Sequence, residues 1–172
     1  MATIRELEPT DLEAVHRINQ DNVPEVGSVD RQRLEHLVAH SVLARVVDVD
    51  GVVAGFCLVL PLGVPYDSVN YRWFSDRYDD VWYLDRVAFD AGYRRQGLGT
   101  ALYDDIERRI RAQPGIAALA LEVNAEPPNE PSLAFHRRRG YVEVGRQDTP
   151  YGIVVEMMCK SLPASGVSGG PA

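Results

Sequence analysis

Apolar residues recur along the chain in two rhythms, one helical and one alternating, and their succession lays out the elements in order. A short alternating run from Thr3 to Leu7 predicts a first strand. In Thr10-Asp11-Leu12-Glu13, a threonine with glutamate three residues on marks a helix start, and Leu12, Val15 and Ile18 give that helix one apolar side. A second helix opens near Ser28 or Asp30 and carries Leu34, Leu37 and Val38 at helical spacing. Val42 to Val49 and Val52 to Leu60 are β-rich runs joined at Asp50-Gly51, which predicts an antiparallel hairpin. A strand from Val81 to Phe89 leads through a Gly-rich turn into a helix ending near Gln113. Its buried stripe is Leu98, Leu102, Ile106 and Ile110, and Asp104, Asp105 and Glu107 each stand four residues before an arginine. After Pro114-Gly115, Ile116 to Val123 reads as a buried strand. Asn129-Glu130-Pro131-Ser132 then starts a short helix that Gly140 ends, and Tyr141 to Arg146 with Ile153 to Met158 predicts a second hairpin.

Two stretches fit neither rhythm. Pro61 to Asp80 is a long connection, and connections of that length are usually functional or disordered. Tyr66, Tyr71, Trp73, Phe74, Tyr78, Trp82 and Tyr83 gather half of the chain's aromatic residues around it, which is the reverse of a disorder signature. The segment therefore reads as ordered. Residues 161–172 lack any charged side chain and are rich in Gly, Ser and Pro, so they are expected to form a disordered tail on a single domain spanning 1–160.

Composition narrows the class of function. With 45% hydrophobic and 25% charged residues the chain has the balance of a soluble globular protein. A formal charge of -7 argues against a broad surface for nucleic acid or anionic membrane, so any anion must meet a local cationic site. Cys57 and Cys159 lie in apolar runs and read as buried free thiols of a reducing compartment. The start, MATIRELEPTD, has acids and no apolar run, and the cytoplasm is the expected address. His36 and His40 have a metal-clamping spacing without a third ligand, so no metal is implied.

The most informative stretch is Arg94-Arg95-Gln96-Gly97-Leu98-Gly99-Thr100, between a strand and a helix. Glycines at a helix mouth let the backbone come close to a ligand, and the first free N–H groups with the helix dipole favour an anion. Two arginines beside them suit a pyrophosphate. A nucleotide-hydrolysing P-loop is unsupported because no Gly-Lys-Ser/Thr follows, and the third glycine of a dinucleotide fingerprint would fall at Leu102.

The order of elements, with Arg94-x-x-Gly97-x-Gly99, resembles the GNAT superfamily of N-acetyltransferases. A second block, Asn129 to Tyr141 with its Gly140-Tyr141 ending, is similar to that family's Asn, helix, Gly-aromatic pattern. The resemblance covers about residues 3 to 160 and implies an α+β sandwich: a mixed, mostly antiparallel sheet flanked by helices and splayed between strands 4 and 5, where acetyl-CoA enters. It implies that Arg94, Arg95, Gln96, Gly97, Leu98, Gly99 and Thr100 wrap the pyrophosphate, with one of Arg137 to Arg139 as a further cation. Val87 and Phe89 would pair their backbone with the pantetheine arm, and Asn129, Ser132 and Phe135 would line its other side. Where the family often carries an acid-supplying tyrosine, this chain has His136, whose partly protonated imidazole would protonate the departing thiolate. Asp85 holds the strand position where similar enzymes carry an acidic residue. It stands as the base or as the structural partner of Arg86, with Glu122 on the next strand and a water relay as weaker candidates.

The function these readings imply is acetyl transfer from acetyl-CoA to a primary amine by direct attack in a ternary complex. The aromatic segment before the fourth strand, with Asp67, Asp76, Asp79 and Asp80 against Arg72 and Arg77, points to a small cationic or aromatic amine held by Tyr71, Trp73, Trp82 and Tyr83. Nucleic acid and membrane are not expected as partners, and a homodimer is admissible. Two rival readings stay open: an acyl-CoA-binding regulatory module without turnover, and a dinucleotide-dependent oxidoreductase built on the Gly-rich turn.

Overall fold

The computed structural model describes residues 1–165. Seven strands form one sheet in the order β1-β2-β3-β4-β5-β7-β6. They are β1 (Ala2–Glu6), β2 (Leu43–Val49), β3 (Val52–Leu60), β4 (Val81–Phe89), β5 (Ala118–Glu126), β6 (Val142–Asp148) and β7 (Val154–Ser161). Every neighbouring pair is antiparallel except β4 and β5, which run parallel. Among the described residues five α-helices cover the sheet: α1 (Leu12–Asp21), α2 (Arg31–His40), α3 (Val69–Ser75), α4 (Leu98–Arg111) and α5 (Glu130–Arg138).

Strand alternation divides the core into two. Val15 and Ile18 of α1, Leu34 and Leu37 of α2, and Tyr71 and Phe74 of α3 pack with Phe56, Tyr83 and Ala120 on one face. Leu102, Ile106 and Ile110 of α4 and Leu133 of α5 pack with Cys57, Trp82 and Leu119 on the other. Each helix presents one apolar stripe, so each face is closed by residues spaced three or four apart.

Several boundaries differ from the sequence reading for local reasons. The first helix is preceded by a 3-10 turn at Pro9–Asp11, and the capping pair is Glu8 with Asp11 rather than Thr10 with Glu13. The long connection contains α3, started by Ser68, whose side chain accepts from the Tyr71 N–H. The expected tail begins too early. Ser161 pairs with Ala118, and Leu162 is fully buried with its N–H bonded to Ala117 O at 2.7 Å, because Leu162 caps the apolar floor under α4. The rest of that tail, from residue 166, lies outside the described residues. Both cysteines are buried free thiols.

Candidate active site

The parallel pairing of β4 and β5 lasts for only three residue pairs, Val81↔Ala118 to Tyr83↔Ala120. Beyond Tyr83 the two strands part, and a cleft of ≈ 650 Å³ opens in the gap. Leu84 to Val87 of β4 and Leu121 to Asn124 of β5 form its sides. Tyr66, Ser68, Asn70, Tyr151 and the segment from Asn22 to Ser28 stand on the α1/α2/α3 face, and Tyr103, Asn129, Ser132 and His136 on the α4/α5 face. The gap is therefore reached from two sides by different chemistry.

On the α4/α5 side, backbone donors dominate. Gly97 caps α4 with φ 76°, a left-handed conformation that glycine adopts without penalty, and among the described residues nothing beyond its chain neighbours lies within 4 Å of where its Cβ would be. The amides of Gly97, Leu98, Gly99 and Thr100 make no backbone hydrogen bond among the described residues, as expected at a helix start. Arg94 and Arg95 are exposed beside them. Arg94 donates to Asn22 Oδ1 at 2.7 Å, and Asn22 Nδ2 donates to Phe89 O at 3.0 Å, which ties the end of α1 to the turn. Gln96 turns back to Gly92 O. Asp90 N bonds Ala54 O, so by ladder alternation Ala88 and Arg86 face β3, and the amides of Val87 and Phe89 and the Val87 carbonyl point into the gap, the Phe89 carbonyl being taken by Asn22. These groups fit a long, anionic, amide-bearing ligand. Arg137 and Arg139 do not: Arg137 is bound to Glu156 at 2.8 and 2.9 Å, and Arg139 to Asp104 and Glu107.

His136 departs from its expected role. It is 5% exposed, its Nδ1 lies 2.7 Å from Ser132 O, and its Nε2 lies 2.7 Å from the Tyr103 hydroxyl. A carbonyl can only accept, so Nδ1 carries the proton and Nε2 accepts from Tyr103. Burial, with Arg139 nearby, pushes the imidazole pKa down and keeps it neutral. A neutral ring with both nitrogens engaged has no proton to hand to sulfur, which corrects the sequence reading. His136→Phe is expected to leave the Tyr103 hydroxyl unpaired and to cost about 1–3 kcal/mol of stability. Thermal melting should register that loss, while the pH dependence of turnover keeps its wild-type form.

On the opposite side the carboxylates gather. The register change in β3–β4 pairing falls between Leu58 and Val59 and leaves Asp85 as the extra residue of β4. This bulge turns both Asp85 and Arg86 to the α1/α2 face. The Asp85 side chain is only 4% exposed, covered by the Tyr66 hydroxyl at 2.8 Å and by Arg86, which is itself pinned to Asn19 and Gly27. Burial raises its pKa. Asp85 thus lines the cleft with its carboxylate covered by Tyr66 and Arg86, the arrangement of a structural partner rather than a base in reach of solvent.

Glu122 is half-buried and two residues past the last paired position of β5. Tyr83 donates to its Oε2 at 2.6 Å and Asn70 to its Oε1 at 3.3 Å. Its pKa is pushed up to about 7, first by burial and then by the charge of Asp85, against the hydrogen bonds that pull it down. A carboxylate near half-ionisation at neutral pH beside an opened strand pair can exchange a proton there.

The four aromatics assigned to an acceptor do not line the cleft. The Tyr71 hydroxyl donates to Pro61 O and accepts from Val64 N, fastening the connection to itself. Trp73 lies over Gly145 of β6, where a Cβ would come within 2.5 Å of its ring. Trp82 is in the core under α4, and Tyr83 is fully buried with only its hydroxyl reaching Glu122. On the α1/α2/α3 side the aromatic walls are instead Tyr66 and Tyr151, and Tyr151 is 61% exposed.

The acetyltransferase (GNAT) family model matches residues 5–141, and the chain belongs to that family. No curated protein matches it in sequence. Among solved structures it is similar to Ard1 from Thermoplasma volcanium, with 23% identity, 94% of this chain and 97% of the other covered, and a TM-score of 0.76. The ribosomal-protein-S18-alanine N-acetyltransferase from Escherichia coli is 24% identical over 98% of both chains, with a TM-score of 0.74. Arabidopsis thaliana NAA60 in complex with acetyl-CoA is 17% identical over 94% and 99%, with a TM-score of 0.75.

Proposed function

We propose that the protein transfers the acetyl group of acetyl-CoA to a primary amine, by direct attack within a ternary complex. The observation that carries this reading is the half-buried Glu122, with a pKa near 7, at the point where β4 and β5 separate. An amine of pKa about 10.4 is almost wholly protonated at neutral pH and must lose a proton before it attacks. Glu122 accepts that proton. The Val87 amide, turned into the gap, donates to the carbonyl oxygen as negative charge develops on it. The free amides of Gly97 to Thr100, with Arg94 and Arg95, hold the pyrophosphate, while Val87 and Phe89 pair with the pantetheine arm and Asn129, Ser132 and Phe135 flank it.

The departing thiolate needs little help. A thiol of pKa about 8.5 releases its sulfur more readily than the amine would leave, so solvent can supply the final proton. Asp85 acts through space in this scheme: its buried charge holds up the proton affinity of Glu122. The acceptor enters on the face of Tyr66 and Tyr151, with Glu25, Asp85 and Glu122 around it, and aromatic faces over carboxylates favour a cationic amine.

The test is thiol release from acetyl-CoA against a panel of cationic, neutral and anionic amines and short peptides with free N-termini, with mass detection of one added acetyl group. Cationic amines are expected to lead. Saturable acetyl-CoA binding with no turnover on any amine would instead favour the regulatory module.

A further inference from the structure

The side chain of Asn70 makes three hydrogen bonds, and together they fix which way its amide points. Gln147 Nε2 donates to Asn70 Oδ1 at 2.8 Å, so the nitrogen must face the other way. Its two hydrogens then go to Glu122 Oε1 at 3.3 Å and to the Tyr151 hydroxyl at 3.2 Å. Asn70 is 5% exposed, on the first turn of α3, whereas Tyr151 stands 61% exposed in the turn between β6 and β7. Three segments distant in sequence therefore meet at one buried amide, with the carboxylate of β5 on one side and the cleft mouth on the other. We propose that Asn70 is a positioning residue for acetyl transfer, which holds the Glu122 carboxylate at the gap and ties Tyr151, an acceptor-contacting residue, to the same point.

The proposal rests on Glu122 being the base. If it holds, acceptor recognition at the β6–β7 turn and the strength of the base share one donor. An amide N–H stabilises the ionised carboxylate, so Asn70 opposes the burial that raises the Glu122 pKa. Tyr83 of β4 bonds Glu122 directly, and the other titratable or charged groups lining the same cleft are Asp85 and Arg86 of β4, Tyr66 and Tyr151, Glu25 from the segment after α1, and Tyr103 and His136 on the α4/α5 side. Opposite it β7 presents Met157. Tyr83 and Tyr66 are held well above their ordinary values and stay neutral through the range of interest, so Asp85 is the group to separate from Glu122.

The experiment is a carbon-13 NMR titration of the Glu122 side-chain carboxyl in the full chain without ligand, assigned with Glu122→Gln. It is run on wild type, Asn70→Ala, Gln147→Glu and Asp85→Asn. Asn70→Ala removes the donor and is expected to raise the midpoint by about half a pH unit or more. Gln147→Glu never touches the cleft, yet its carboxylate draws the Asn70 nitrogen round and turns the oxygen toward Glu122, so the midpoint should rise again. Asp85→Asn should move it the opposite way. Tyr151→Phe is expected to raise the acceptor KM several-fold with kcat little changed, using the best amine of the panel. If Asn70→Ala fails to fold, Gln147→Glu carries the test. An unmoved midpoint in every foldable member of that pair overturns the proposal. A midpoint in wild type near the ordinary glutamate value would overturn the reading of Glu122 itself, which is a different result.

Discussion

A Glu122→Gln variant is expected to lose about 10²- to 10⁴-fold in kcat/KM for the amine, the range that a positioned base contributes, while acetyl-CoA affinity stays within a few-fold of wild type. Gln keeps the shape and can still bond Tyr83 and Asn70, but it cannot take a proton. In wild type, kcat/KM should fall as the pH drops through about 7, because protonation removes the base, and the variant should lose that acidic limb. The same substitution should act on stability with a definite sign. A carboxyl whose folded pKa lies above its ordinary 4.5 is better protonated in the native state, so the native state loses stability as pH rises from that value through about 7. Gln carries no such cost. The variant should therefore melt higher than wild type at alkaline pH and like it at strongly acidic pH. Full activity of Glu122→Gln on a primary amine would remove Glu122 from the mechanism, and a melting difference independent of pH would remove the raised pKa.

The two ends of the site were not equally legible in the sequence. The cofactor side reads from short windows, because Gly97 and Gly99 sit within a few residues of the strand and helix they join. Likewise Asn129, Pro131 and Gly140 punctuate α5 locally: Asn129 accepts from the Ser132 N–H, and Gly140 takes φ 89° where the helix stops. The acceptor side depends on two things that no window contains. One is the bulge at Asp85, which breaks the alternation of β4 and brings Arg86, which strict alternation would place on the α4/α5 face, round to the face of Asp85, where it covers that carboxylate. The other is long-range assembly: Asn70, Glu122, Gln147 and Tyr151 come from α3, β5, β6 and the following turn. Tyr151 stands alone in its stretch, and no periodicity marks it. Aromatic density correctly announced an ordered segment between β3 and β4, but most of those rings serve to fasten α3 to the sheet. Tyr66 is the exception. His136 was read from its place in a block, whereas its partner Tyr103 is on α4, so its neutral, doubly bonded state became visible only when α4 and α5 were side by side.

Gly97→Glu is expected to weaken acetyl-CoA binding by at least about 100-fold, equivalent to roughly 2.8 kcal/mol at about 1.4 kcal/mol per tenfold. Two effects are superposed and can be separated. Any side chain at φ 76° pays about 1 kcal/mol for the left-handed conformation, since Cβ crowds the following carbonyl. No neighbouring atom of the protein adds to that, because the space around the would-be Cβ is open. That cost falls on folding and is the same with and without ligand, so the loss of affinity depends on the contact and charge of the added side chain, for Gly97 stands among the unpaired amides where a helix start attracts anions. Gly97→Ala, Gly97→Glu and Gly97→Lys share the backbone cost and should melt alike without ligand. Their affinities for acetyl-CoA, measured by calorimetry at low salt, should then fall in the order Lys, Ala, Glu. Added salt should narrow the spread, because the groups involved are exposed and screening acts on them within about 10 Å at 0.1 M. Raising the salt to 1 M should bring Glu and Lys closer together without making them equal, since part of each effect is contact with the ligand itself. Equal affinities for the Glu and Lys variants at low salt would place the pyrophosphate elsewhere, and Arg94 and Arg95 would then lose their reason to flank the turn.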